Sequence, residues 1–301
     1  MRSTNGSAAL ARAAYEPLAA HYDDFTRGYV YDSWLDAILR WSRAHGLAGR
    51  RVLDAACGTG KSFMPLLRAG YDVTACDVSP AMVTQARLKA GGRARVVVAD
   101  VRSLTWASEF DLITCLDDAI NYLLTQPDLL AALRGMAGAL RPGGILVFDT
   151  NSLATYRTAF VEQFDSTSGS TQFRWRGESK PDTLPGTVHS AVLEIERDGE
   201  MHATRHVQRH WPLEELRSLL TRAGFSHVVF RGQATGGRLA GEPDEERHPK
   251  IACLARTPAS ARAKPSLDDR GSPSRDGGES HDHQDLTRPP TRCAGRYPAE
   301  R

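Results

Sequence analysis

The 301-residue chain lacks most of the features that would place a protein at a glance. No apolar run approaches the ~20 residues that a membrane-spanning helix needs, so no membrane partner is expected. Residues Met1 to Ala14 carry Arg2 and Arg12 but no hydrophobic block, so no secretory leader is expected there. The five cysteines, Cys57, Cys76, Cys115, Cys253 and Cys293, are scattered, and no pair has zinc-ligand spacing. No metal site is expected, and free thiols in a reducing, cytoplasmic setting are the simplest account. A formal net charge of +2 is too small to argue for nucleic acid or an anionic membrane as partner. No internal repeat is visible. What is present, 41% hydrophobic and 25% charged residues, is ordinary for a globular chain.

The pattern divides the chain. Residues 1–10 read as disordered, and 11–48 as a helical, aromatic-rich segment with an amphipathic face at Trp34, Leu35, Ile38, Leu39 and Trp41. Apolar runs follow at 51–54, 72–76, 95–99, 111–116 and 144–149, with helical spacing over Ala81 to Ala90 and Pro127 to Leu140. Ser79 and Pro80 open the first of these helices, and Arg141 to Gly144 should end the second. Such alternation implies right-handed crossovers and a parallel sheet covered on both faces. From about 165 to 210 the period drops to two, with Asp198 and Gly199 a hairpin signal, so an antiparallel ribbon is expected over one sheet edge. Pro212 to Ala223 reads as a helix closed by Gly224, and 228–230 and 251–254 as final strands. Residues 49–256 thus form one expected domain. In 257–301 large apolar residues nearly vanish, and a disordered tail is expected.

Everything turns on Arg51 to Ser62, a strand, a glycine turn and a helix start, where an open α/β sheet usually holds a nucleotide-like ligand. Three ligands compete. Lys61 and Ser62 after Gly58 and Gly60 imitate a phosphate loop, with Asp117 as the magnesium acid, but Ala55 stands where that loop wants glycine. A nicotinamide fingerprint would need a third glycine where Phe63 stands. S-adenosylmethionine carries no phosphate, and its ammonium and sulfonium make an acid beside the turn useful. Asp54, Asp77 and Asp100, one after each of three successive strands, suit that ligand and are unexplained by the other two. Asp54 could hold a water or the cation, Asp77 the ribose hydroxyls and Asp100 the adenine amine, beside the Val101 backbone. Gly58 and Gly60 let the backbone approach, and Val78, Met82 and Leu104 offer apolar ring contacts.

Leu53 to Gly60, Asp77 to Met82, Ala99 to Val101, Phe110 to Ile113 and Leu140 to Gly144, in that order, resemble the core of the class I S-adenosylmethionine-dependent methyltransferases. The resemblance implies a Rossmann-like, doubly wound α/β fold of seven strands, mostly parallel with the last antiparallel. Ala56 departs from the pattern, since many members have glycine there. A looser resemblance reaches bacterial small-molecule methyltransferases of secondary metabolism and sugar modification. It runs through Tyr22 and Asp23, Asp117 to Leu123, His206 to Pro212 and Ala223 to Phe225.

The expected reaction is methyl transfer to a nitrogen or oxygen of a small molecule, by a monomer or homodimer. Asp117 and Asp118 could orient or deprotonate the acceptor, His206 could act as base, and Asn121, Tyr122 and Arg209 could bind it. Tyr22, Tyr31 and Trp34 are the expected lid over the donor, with Cys57 and Leu116 completing its loop and wall. Core packing competes as the account of each of these rings. Neither the proline-rich run of adenine-amine methylation nor a Pro-Cys nucleophile is present, so nucleic acid is disfavoured as substrate. A binder of S-adenosylmethionine without turnover remains the alternative from another functional class.

Overall fold

A computed structural model describes residues 6–234 and 237–259. Three helices come first, α1 (Gly6–Tyr15), α2 (Tyr22–Phe25) and α3 (Tyr31–Ala44). Strand and helix then alternate through β1 (Arg51–Ala55), α4 (Met64–Arg68), β2 (Asp72–Asp77), α5 (Pro80–Ala90), β3 (Arg95–Val98), β4 (Phe110–Cys115), α6 (Gln126–Ala139) and β5 (Leu140–Asn151). The short helix α7 (Leu153–Arg157) leads into β6 (Gln163–Ser168), β7 (Thr171–Gly177), β8 (Val188–Arg197) and β9 (Glu200–Arg209). The chain returns through α8 (Leu213–Ala223), β10 (His227–Ala234), β11 (Arg238–Leu239) and β12 (Lys250–Arg256). No helix among the described residues is long and apolar enough to cross a membrane.

The main sheet has the order β11-β10-β12-β5-β4-β1-β2-β3. Pairings among β1 to β5 are parallel, whereas β12 runs antiparallel to both β5 and β10. This is the expected fold class, with the two-residue β11 added at one edge. Two-residue alternation sorts the central strands into two cores. Leu53, Ile113 and Leu146 pack with Leu133 and Met136 of α6 and Leu216 and Leu219 of α8. Val52, Leu112 and Val147 point the other way, onto Leu35 and Ile38 of α3 and Val83 and Ala86 of α5. Each such side chain stabilises the fold by roughly 1.5–3 kcal/mol when fully buried, so the sheet is fixed from both sides.

The helix starts follow their local chemistry. Ser79 accepts from the Met82 amide with Pro80 in the first turn, and Thr125 does the same for Asp128. The hairpin at Asp198 and Gly199 joins β8 to β9 with φ of 53° and 82°, the two left-handed residues of a type I′ turn.

Several expectations need correction. Gly6–Tyr15 is a helix, so residues 6–10 of the segment expected to lack order are ordered, and residues 1–5 lie outside the described residues. Arg141 to Gly144 do not stop α6 in a loop; they lie in the irregular start of β5, where Leu140 pairs with Phe110 and Gly143 has φ of 77°. The predicted ribbon is a separate four-stranded antiparallel sheet, β6-β7-β8-β9. It covers more than an edge: Phe173, Leu193 and Ile195 pack on Leu18 and on Tyr15, Tyr22 and Phe25 of the N-terminal segment. Thr257 is buried and Pro258 accepts from the Gly143 amide, so the expected tail is anchored at its start; residues 260–301 lie outside the described residues.

Candidate active site

The turn after β1 is built from left-handed residues, Ala56, Gly58 and Gly60 having φ of 57°, 52° and 87°. The Cys57 amide donates to Cys76 O at 2.9 Å and ties the turn to β2. At the end of β2, Asp77 braces two loops: Oδ2 accepts from the Gly58 amide and Oδ1 from the Ser79 amide, each at 2.9 Å. Burial pushes the Asp77 carboxyl up, and these amide donors pull it back down. Asp100 follows β3, accepts from the Arg102 amide at 2.9 Å and pairs with the Arg102 guanidinium at 2.7 Å.

These loops surround a cleft. Gly58, Asp77, Val78, Met82, Asp100 and Val101 line it, together with Ala56 and Cys57. So do Tyr22, Tyr31, Leu116, Asp117 and Tyr122. A Cβ added at Gly58 would stand 3.9 Å from the Tyr22 ring, so the missing side chain leaves room between turn and aromatic. Carboxylates beside a bare backbone turn suit a ligand with ribose hydroxyls and positive charge, and suit a phosphate poorly. S-adenosylmethionine fits that donor set.

Asp117 stands where β4 gives way to a turn. Both it and Asp118 are left-handed, with φ of 58° and 52°. Tyr31 Oη donates to Asp117 Oδ2. Burial pushes the Asp117 carboxyl up to about 6, opposed by the Lys250 ammonium and reinforced by Asp149.

Residues 52–144 match the model of a methyltransferase domain. The residues it spans are those that make the turn, Asp77, Asp100 and Asp117. The chain carries a methyltransferase domain on a class I fold. YqeM of Bacillus subtilis (strain 168), a protein bearing a provisional methyltransferase name, is 28% identical over 70% of this chain and 86% of its own length. An S-adenosylmethionine-dependent methyltransferase from Clostridium acetobutylicum shares the fold with a TM-score of 0.67 at 24% identity, covering 81% of this chain and 99% of that one. CalS10, an amino pentose methyltransferase from Micromonospora echinaspora, does so with a TM-score of 0.62 at 21% identity, covering 78% and 96%. CalS10 was solved with S-adenosylmethionine bound, the ligand that the donor set of this cleft fits.

Other expected site residues lie behind the methyltransferase's cleft rather than on it. Asp54 is within β1 and 1% exposed; its oxygens accept from Ser62 Oγ at 2.5 Å and Thr114 Oγ1 at 2.7 Å. Direct contact with the donor is therefore replaced by bracing of the loop, and burial pushes its carboxyl up to about 6. Gly60 makes room for Phe63, whose ring would lie 2.5 Å from an added Cβ. Trp34 packs in the α3 core. Lys61 lines the cleft, but its ammonium donates to Thr26 O at 2.7 Å and Thr26 Oγ1 at 2.9 Å, and helix α4 starts only at Met64. No phosphate-loop geometry results.

On the acceptor side, Asn121 is fully buried, donating to Arg209 O at 2.8 Å and accepting from the Asn151 amide at 3.1 Å. Arg209 stacks over Trp211 and pairs with Glu215 at 3.2 Å. Asp118 is turned inward to Lys250 at 2.6 Å and Gln208 at 2.5 Å. His206 is 3% exposed and touches Tyr122 Oη through Nδ1 at 2.8 Å. Burial holds this imidazole down to about 4, so it is neutral at pH 7, and it meets the cleft wall through Tyr122 and the edge of the Tyr15 ring. Strand periodicity says which face a residue takes, not what covers that face.

The sequence reading missed one whole wall. Ser7, Ala8, Ala11 and Tyr15 of the N-terminal segment line the cleft, as do Ser62, Ala99, Ala119 and Leu123. Tyr15 Oη donates to Tyr122 Oη at 3.0 Å. Small residues at Ser7, Ala8 and Ala11 recur at helical spacing, a signal weaker than the aromatics that drew attention downstream.

Proposed function

We propose that the enzyme transfers the methyl group to a nitrogen or oxygen atom of a small molecule in secondary metabolism, nitrogen being favoured. The carrying observation is Asp117, a cleft-facing carboxylate among the hydroxyls of Tyr15, Tyr22, Tyr31 and Tyr122. A carboxylate framed by aromatic rings suits an amine, which arrives as ammonium and must lose a proton before it can attack. The likeness to an amino pentose methyltransferase supports the same choice.

In this reading Asp77 accepts from the ribose hydroxyls and Asp100 from the adenine amine. Gly58 gives backbone access, Val78, Met82 and Val101 flank the ring, and Ala56, Cys57, Tyr22, Tyr31 and Leu116 enclose the methionyl part. S-adenosylmethionine supplies an electrophilic methyl group. Asp117 orients the acceptor and takes its proton, Tyr122 hydrogen-bonds it, and the N-terminal helices and the second sheet exclude water. Residues 6–48 serve as the lid and 49–256 as the methyltransferase domain of a cytoplasmic monomer or homodimer that binds neither membrane nor nucleic acid.

Calorimetric titration with S-adenosylmethionine should show a loss of at least about tenfold in affinity for Asp77→Ala, the worth of one charge-assisted hydrogen bond. Equal binding by both proteins removes Asp77 from the donor site. Tritiated methyl transfer into a panel of primary amines and their hydroxyl counterparts should label amines. Label in the hydroxyl compounds alone overturns the preference for nitrogen, and label in neither, with donor bound, overturns the acceptor assignment.

A further inference from the structure

One buried cation sits behind the acceptor side of the cleft. Lys250 opens β12, and because that strand runs against its neighbours, its first residue lies at the ligand end of the sheet, paired with Asn151 at the end of β5. The residue is 5% exposed. Its ammonium lies 2.6 Å from Asp118 Oδ1, 2.8 Å from Asp149 Oδ2 and 3.9 Å from Asp117 Oδ1. Asp118 Oδ2 accepts from Gln208 Nε2 at 2.5 Å, and Gln208 Oε1 is itself held by Asn151 Nδ2 at 2.9 Å and Tyr156 Oη at 3.0 Å. The network joins β5, β9 and β12 to the turn after β4.

That turn needs holding. Two consecutive non-glycine residues with φ of 58° and 52° carry left-handed strain, though less as aspartates than most side chains would. Asp118 and Asp149 would also repel one another without a cation between them. The turn carries Asp117 on the cleft side and Asp118 on the buried side, so whatever anchors Asp118 sets the direction of Asp117.

We propose that Lys250 is a positioning residue for methyl transfer: bridging Asp118 and Asp149, it fixes the left-handed turn and aims Asp117 at the acceptor. The proposal rests on the reading of Asp117 as the acceptor-facing group. A misplacement of about 1 Å at such a group costs about a hundredfold in rate. Donor binding relies on the loops after β1, β2 and β3 and should be spared.

The test uses the full chain, S-adenosylmethionine and the panel compound that the native enzyme labels. Lys250→Met should lower kcat by about a hundredfold while affinity for S-adenosylhomocysteine stays within about twofold. Lys250→Met leaves two buried carboxylates facing each other at a cost to folding, so Lys250→Met/Asp149→Asn, in which one of those charges is gone, accompanies it. The double variant should regain thermal stability and keep the low kcat. Recovery of both stability and kcat overturns the proposal, as does a Lys250→Met enzyme with native kcat. Asp117→Asn separates the two readings. A native kcat in that variant defeats the acceptor reading itself, whereas a slow Asp117→Asn beside a fast double variant defeats only the role of Lys250.

Discussion

At the scale of single residues, Asp117 is governed by its surroundings: Lys250, Asp118, Asp149 and Tyr31 face it. Burial raises its carboxyl to about 6, above the ordinary 3.8. An acid raised in the folded state gains stability as pH falls from 6 toward 4, because the folded form takes up the proton first. This group therefore does not unfold the protein on mild acidification. Activity that needs the carboxylate should nevertheless fall as pH drops through about 6. A pH profile of kcat/KM from about 5 to 8 should show that acid limb. In Asp117→Asn the residual rate should be flat apart from any contribution of Asp54, which titrates near 6 as well. An unchanged limb in the variant would assign the titration elsewhere. Ala56 repeats the theme of local strain: with φ of 57° it occupies a conformation that glycine adopts more cheaply.

At the scale of the element, the glycine turn divides its work between fold and ligand. Gly60 has φ of 87°, and the Phe63 ring fills the space its Cβ would take. Gly60→Ala should destabilise by more than about 2 kcal/mol, from left-handed strain plus overpacking. Gly58 has φ of 52°, and a Cβ there would meet only the Tyr22 ring, at 3.9 Å. Gly58→Ala should cost about 1 kcal/mol of stability but reduce affinity for S-adenosylmethionine about tenfold or more, since its Cβ enters the cleft. Thermal denaturation and calorimetry on both variants check the division. Equal losses of stability and affinity in the two would refute it.

At the scale of the molecule, the N-terminal helix is tied to the loops that carry Asp77 and Asp100. Ser7 Oγ donates to Asp128 at 2.7 Å, Asp128 pairs with Arg102 at 2.9 Å, and Arg102 pairs with Asp100. At the other end Glu16 accepts from Ser79 Oγ at 2.6 Å, next to Asp77. Lid and donor loops should therefore stabilise one another. S-adenosylhomocysteine at a hundred times its Kd should add about 2.7 kcal/mol to the unfolding free energy. Ser7→Ala should speed its release by about fivefold, the loss of about 1 kcal/mol of hydrogen bond, with little change in association rate. Stopped-flow displacement measures this, and an unchanged release rate would show that α1 does not latch the site.

The class of fold and the methyl-donor loops were legible because their signals are local. Alternating apolar residues assign Leu53 and Val52 to opposite faces, and a turn of a few residues fixes where Gly58 and Asp77 must meet. The acceptor side was not legible, because it is assembled from segments far apart in the chain. Tyr15, Asp117, Tyr122, His206 and Lys250 come from five elements or turns, and only their packing decides which polar group faces the cleft. Asp117 and Asp118 are adjacent and chemically identical, yet the left-handed turn sends one to the cleft and the other to Lys250. Asp54 makes the same point from the other side: sequence marks it as part of the donor loop, and tertiary structure buries it under that loop against two hydroxyls. The mostly parallel sheet and the loops around the cleft could be read from the sequence, since periodicity and short-range turn geometry carry that information. That Asp117 lines the cleft while Asp118 turns to Lys250 follows from packing alone, because burial and charge pairing depend on what the rest of the chain brings alongside.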